Sequence, residues 1–167
     1  PCEQTKNIVN NSKSKPAIDS LKSKASKGKE NGYKIKADGT PSVLIPGGTH
    51  SVNFGDKTGY QGGYHNHTPT GIPMLSPPDI DQLLQFVLAQ GNGDPTKASN
   101  AFIGMVAPNG MYYVATFNGS YNDALVTFSQ TDLTSYNDLM SMRNSIFNPS
   151  TPEGYEKLFF KALMDMK

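Results

Sequence analysis

The stretch GGYHNHTPTGIPMLSPPDIDQLLQF, residues 62–86, holds two of the three histidines in the chain. On an extended strand the side-chain period is two, so His65 and His67 project from one face and both imidazoles can reach a single metal ion. Asp79 follows His67 by twelve residues and offers a carboxylate, with Ser76 three places before it. On residue types alone Asp81 competes as an oxygen ligand. Ser76 also suits a helix N-cap, and an aspartate in a first helical turn is favoured by the helix dipole whatever else it does. The third histidine, His50 in GGTHSV, reads as a loop residue.

Particular elements must present these groups. SPPDIDQLLQFVLAQG sets Ile80, Leu83, Leu84, Val87 and Leu88 on one helical face, with prolines in the first turn and Gly91 at the end. Upstream, KPAIDSLKSKA carries Ala17, Ile18, Leu21 and Ala25 at helical spacing, and Gly28 stops it. GYKIK and SVLI read as two strands joined through the turn ADGT, and residues 49–67 as strand-like pieces broken by glycines. AFIGMVAPNGMYYVATFNG is a hairpin turning at PNG, DALVTFS adds a further strand, and two helical patterns close the chain. The second of these places Thr151 before Pro152, with Tyr155, Leu158, Phe159 and Leu163 facing inward. The expected fold is α/β, with a central mixed sheet and flanking helices in one domain over 15–167, after a polar lead-in at 1–14.

Composition limits the function classes. The chain has 167 residues, enough for one domain with a core of its own. Nine of the fifteen basic residues lie in the first 36 positions, all of them lysine, and Arg143 is the sole arginine, against a net charge of +1. Sequence-reading nucleic-acid surfaces lean on arginine for bidentate contacts, so the lysine run reads as a solvated, partly helical lead-in and no nucleic-acid partner is expected. One cysteine excludes an intrachain disulfide and a cysteine zinc knuckle. No apolar run approaches the roughly 18 residues that span a bilayer. The chain opens on Pro1, so a signal peptide, a lipid anchor at Cys2 or a longer upstream polypeptide is expected to have been removed. A cell-envelope or secreted location is favoured slightly over the cytoplasm.

Three familiar His-x-His arrangements do not fit. A cupin needs a nearby glutamate and a later histidine, whereas the next glutamate is Glu153 and no histidine follows His67. An amidohydrolase barrel needs roughly 200 residues or more, together with further histidines. The contiguous letters HNH are no evidence for the nuclease of that name, whose signature residues are dispersed. His65-x-His67 followed by Ser76-x-x-Asp79 at a helix start resembles the signature of JAMM (MPN-domain) zinc metallopeptidases. Eight residues separate His67 from Ser76, one more than is usual in that family, and Thr68 stands where its proline would be, with Pro69 one place later. The order of elements over roughly residues 15 to 130 is similar as well, as in bacterial phage-tail or polymorphic-toxin-associated members.

That resemblance implies an MPN-type, cytidine-deaminase-like α/β fold. It also implies a zinc ion held by His65, His67 and Asp79, with an open position for water. Glu30, at the entrance of the first strand, matches the family's upstream glutamate and would be the general base. Asp38 and Asp56 are the other upstream carboxylates considered for that role. Ser76 would donate to the developing oxyanion, and the glycines at 62, 63 and 71 would let a substrate backbone approach. The implied activity is hydrolysis of a peptide or isopeptide bond in a protein substrate. The alternatives are an MPN-like binding module without catalysis, and a zinc hydrolase of another fold, such as a deamidase.

Overall fold

The computed structural model describes residues 2–167. Pro1 and the Cys2 side chain, on which the expectation of a removed upstream segment rests, lie outside the described residues. The chain forms a single mixed α/β domain around a five-stranded sheet. The strands are β1 (Asn31–Ile35), β2 (Ile45–Pro46), β3 (Gly62–Asn66), β4 (Phe102–Val106) and β5 (Tyr112–Thr116), in the order β2-β1-β3-β4-β5. Only β3 and β4 run parallel; the other pairs are antiparallel. A parallel pair needs a crossover, and α3 (Pro77–Gly91) supplies it.

The period of two sorts the two cores. Ile103 and Met105 of β4 face one side, where they meet Phe54, Leu83, Phe86 and Val87, together with α4 (Gln130–Phe147) and α5 (Pro152–Asp165). Phe102, Val106 and Tyr64 face the other, against Ile18 and Leu21 of α2 (Lys15–Lys24). The segment read as a polar lead-in contains α1 (Cys2–Val9), whose Ile8 packs on this second cluster and whose Gln4 amide donates to the Ser99 carbonyl at 2.7 Å.

Ala17, Ile18, Leu21 and Ala25 are all buried, as their spacing requires. The β4–β5 hairpin turns at PNG with Gly110 at φ +85°, a conformation suited to glycine. On α3 the buried face is Leu83, Phe86 and Val87, while Ile80, Leu84 and Leu88 are only partly buried. Phe86 stands outside the expected stripe because Phe54, arriving from the loop before β3, packs edge-on against it at 5.5 Å.

Two expected strands are corrected. Of SVLI only Ile45 is in a strand, and Val43 is 84% exposed. DALVTFS forms no strand. Asp123 accepts both the backbone N–H and the hydroxyl of Ser120, each at 2.7 Å, which starts a 3₁₀ turn at Asn122–Ala124 and leaves Leu125 and Val126 exposed. No described helix is long and apolar enough to cross a membrane.

Candidate metal centre

His65 occupies the penultimate position of β3 and His67 the first residue beyond it, both on the face that carries α3. Asp79 lies in the first turn of α3, and the three side chains are all buried. Their ligand atoms lie within 4.8 Å of one another, so this group can hold a metal ion. Asp79 Oδ1 is 3.0 Å from His65 Nε2, and Oδ2 is 3.4 Å from His67 Nε2. Nδ1 of His65 is buried without a hydrogen-bond partner, and its Nε2 has only the Asp79 carboxylate beside it. Three buried groups that can each give a lone pair, two imidazoles and a carboxylate, converge here on one point. A cation between the three side chains would engage Nε2, so the donor set fits a metal.

The surroundings select the ligand atoms. His67 Nδ1 lies 2.7 Å from the Ile72 carbonyl, which can only accept, so Nδ1 carries a proton and Nε2 is the nitrogen left to present a lone pair once the imidazolium loses its other proton. Phe54 stands edge-on to His65 at 6.3 Å. It reaches that position by crossing two strands where no side chain intervenes. A Cβ at Gly63 would lie 2.7 Å from the Phe54 ring, and one at Gly32 would lie 2.9 Å from it. Gly62 is likewise filled by Phe102. Glycines 62 and 63 therefore serve internal packing and give a substrate no access, which corrects that expectation; Gly71 alone of the three lines the groove described below.

Ser76 is the N-cap residue of α3, and its hydroxyl donates to Asp79 Oδ2 at 2.8 Å. Its backbone N–H donates to the same oxygen at 2.7 Å. The reading of Asp79 as a dipole-favoured first-turn acid and its reading as a ligand thus coexist: one oxygen closes the helix start and the other faces His65. Asp81 is not part of the cluster and instead accepts from Gln85 at 2.7 Å. His50 is exposed in a loop.

Glu30 is not a solvent-facing strand residue. It is 5% exposed, immediately before β1, and it borders the same cavity as His67, Ser76 and Asp79. Burial raises its pKa to about 7, against the lowering influence of His67 and His65. Burial acts to depress His67, but the Asp79 carboxylate and Glu30 outweigh it and raise the imidazole to about 9. Asp79 is driven upward by burial yet held well below the usual carboxylate range by the two imidazoles. Asp38 and Asp56 lie away from the centre, exposed and bonded within their own turns to Thr40 and Thr58.

Asn66 is a site residue that the motif reading passed over. It points from β3 away from the histidines and is fully buried. Its Oδ1 accepts the Asn31 N–H at 3.0 Å, and its Nδ2 donates to the Lys29 carbonyl at 3.0 Å. These two bonds bracket Glu30. The backbone of Glu30 is itself tied to Gly48 and Gly47, at 2.7 and 2.9 Å. The signal was present in the sequence, since period two puts Asn66 on the face of Tyr64, where a buried amide must find partners.

A cavity of about 620 Å³ opens beside the centre. Its floor includes Glu30, His67, Ser76 and Asp79, and α4 forms one wall. No protein-family model matches the chain, and neither a curated protein nor a solved structure matches it.

Proposed function

We propose that this chain is a zinc-dependent peptidase or isopeptidase of JAMM type, hydrolysing an amide bond with a metal-activated water. The observation that supports this most is the convergence of three buried ligand side chains, His65, His67 and Asp79, beside a buried glutamate on the floor of a groove. Two neutral imidazoles and one carboxylate suit zinc in a hydrolytic site. Zinc, when bound, lowers the pKa of water to about 7 and so supplies a nucleophile near neutral pH.

The protein's own residues do the rest. Glu30, with a pKa near 7, is poised to take a proton from water and return it to the leaving amine. Ser76 holds Asp79 in place and lines the groove; a turn of its hydroxyl away from that carboxylate would let it donate to the substrate carbonyl as negative charge develops. Phe54, edge-on to both His65 and Phe86, packs the apolar core directly behind the site.

The test is a three-way comparison on zinc-loaded protein with a blocked peptide pool. Glu30→Gln should bind zinc and fold as wild type while losing about 10²-fold or more in cleavage, and His67→Ala should lose both. Zinc-loaded wild type that cleaves nothing would overturn the peptidase reading and favour a metal-holding binding module.

A further inference from the structure

The groove wall carries information about what occupies it. α4 is 18 residues long yet buries only Leu133 and Met140. It is nonetheless fixed at both ends. At its start Asp132 accepts the Ser129 hydroxyl at 2.7 Å, and at its end the Arg143 guanidinium forms a bidentate pair with Asp165 of α5. Beside the buried Leu133, the side chains it turns to the groove are Gln130, Thr134, Asn137 and Ser141, four neutral hydrogen-bonding groups on one helical face. Ser51 and Asn53 supply the same chemistry from the loop before β3.

Two features of this wall restrict the ligand. Among the described residues lining the groove there is no lysine or arginine, and its carboxylates are Glu30, Asp79 and Asp81. A substrate phosphate or terminal carboxylate would therefore find no lysine or arginine to pair with, and beyond the metal centre with its His67 it would meet Glu30 and Asp81. The spacing is the second feature. Two of the three steps in the stripe, Gln130 to Thr134 and Asn137 to Ser141, are four residues and rise by about 6 Å, close to the two-residue repeat of an extended chain, about 6.6 Å; the middle step is three. From Gln130 to Ser141 the stripe runs about 16 Å, the span of about five extended residues.

From this we infer that the substrate is an internal, uncharged stretch of extended polypeptide, laid along α4 and held by hydrogen bonds to the neutral stripe. Chain ends and acidic segments, which find no lysine or arginine there, are disfavoured. The inference rests on the peptidase reading for the cleaved bond, but the groove's preference can be read without cleavage.

The experiment uses three terminally matched peptide pools: a blocked neutral pool of Gly, Ala, Ser, Asn and Gln; the same pool with Asp and Glu at half of its positions; and the neutral pool with a free carboxylate next to the bond tested. Binding is measured on zinc-loaded Glu30→Gln, and cleavage on zinc-loaded wild type by mass spectrometry of new amine ends. The blocked neutral pool should be preferred by at least about tenfold in both, since like charges brought together carry a large penalty. Asn137→Lys should shift preference toward the acidic pool, with the zinc content unchanged. Equal or reversed preference in the wild type would overturn this inference and leave the peptidase reading standing. Neutral-pool binding without any cleavage would uphold the groove and overturn the peptidase reading. Binding of no pool would overturn the groove inference itself.

Discussion

The hydroxyl and the backbone N–H of Ser76 both end on one oxygen of Asp79, at 2.8 and 2.7 Å, which leaves the second oxygen turned toward His65. The same Ser-x-x-Asp bonding recurs at Ser120/Asp123 and Ser129/Asp132, where the aspartates are exposed and have only helix starts to close. A common capping device has thus been placed next to two buried imidazoles, where it aims a carboxylate as well as starting a helix.

Ser76→Ala should therefore weaken metal binding by about 10–100-fold, the usual effect of losing a partner that orients a ligand. Ser129→Ala removes the same bonding pattern from α4 and should leave metal affinity alone. Isothermal titration with zinc separates the two, and equal effects would mean that Ser76 acts through helix stability only.

Metal binding should strengthen with pH, because Nε2 of His67 must be free of its proton. Its pKa in the metal-free fold is raised from 6.5 to about 9, so the stability this imidazole contributes is present below pH 6.5 and is lost as pH rises through about 9. Glu30 acts in the same direction at lower pH. Raised from 4.5 to about 7, its carboxyl keeps its proton in the fold up to about pH 7, and stability falls as pH climbs between those values. Zinc displaces the proton on His67, so its affinity should rise by up to about tenfold per pH unit over that window. Thermal melts at pH 6 and pH 8 should show a larger zinc-induced rise in Tm at pH 8. An increment independent of pH would contradict the assignment of His67 as a ligand.

Asn66→Ala should release the segment on either side of Glu30 while sparing the metal ligands. The Asn31 amide loses its acceptor and should exchange with solvent faster, and kcat should fall with little change in KM or zinc content. Asn66→Asp keeps an acceptor for Asn31 and should restore that amide's protection in part. Unaltered Asn31 exchange in the alanine variant would remove Asn66 from this role.

Phe54→Ala should cost about 3–5 kcal/mol, the range for emptying a buried aromatic site. Phe54 is 2% exposed and joins His65 to Phe86. Chemical denaturation with and without zinc checks this, and the metal-free protein should be the more affected.

Much of this was legible in the residues, and what was not has definable causes. Period two at His65 and His67, and the proline-rich start of α3, depend on local geometry, which sequence spacing reports directly. The burial of Glu30 does not. It arises from Asn66 and from Gly47–Gly48, partners close in space but distant in sequence, so a lone glutamate before a strand carries no mark of it. Phe54 was equally silent, since it sits in a segment without regular structure and is buried only because Gly32 and Gly63 leave room for its ring. DALVTFS misled because its apolar pattern suits a strand, while the Ser120–Asp123 bonds had already committed its first residues to a turn.

The proposed zinc ion held by His65, His67 and Asp79 is tested most directly by metal content. Protein purified without chelator should carry about one zinc per chain by elemental analysis, as a three-ligand site requires. His67→Ala, folded as wild type by circular dichroism, should carry none. Wild type that holds no zinc, even after reconstitution with excess metal, would contradict a zinc site at these three residues.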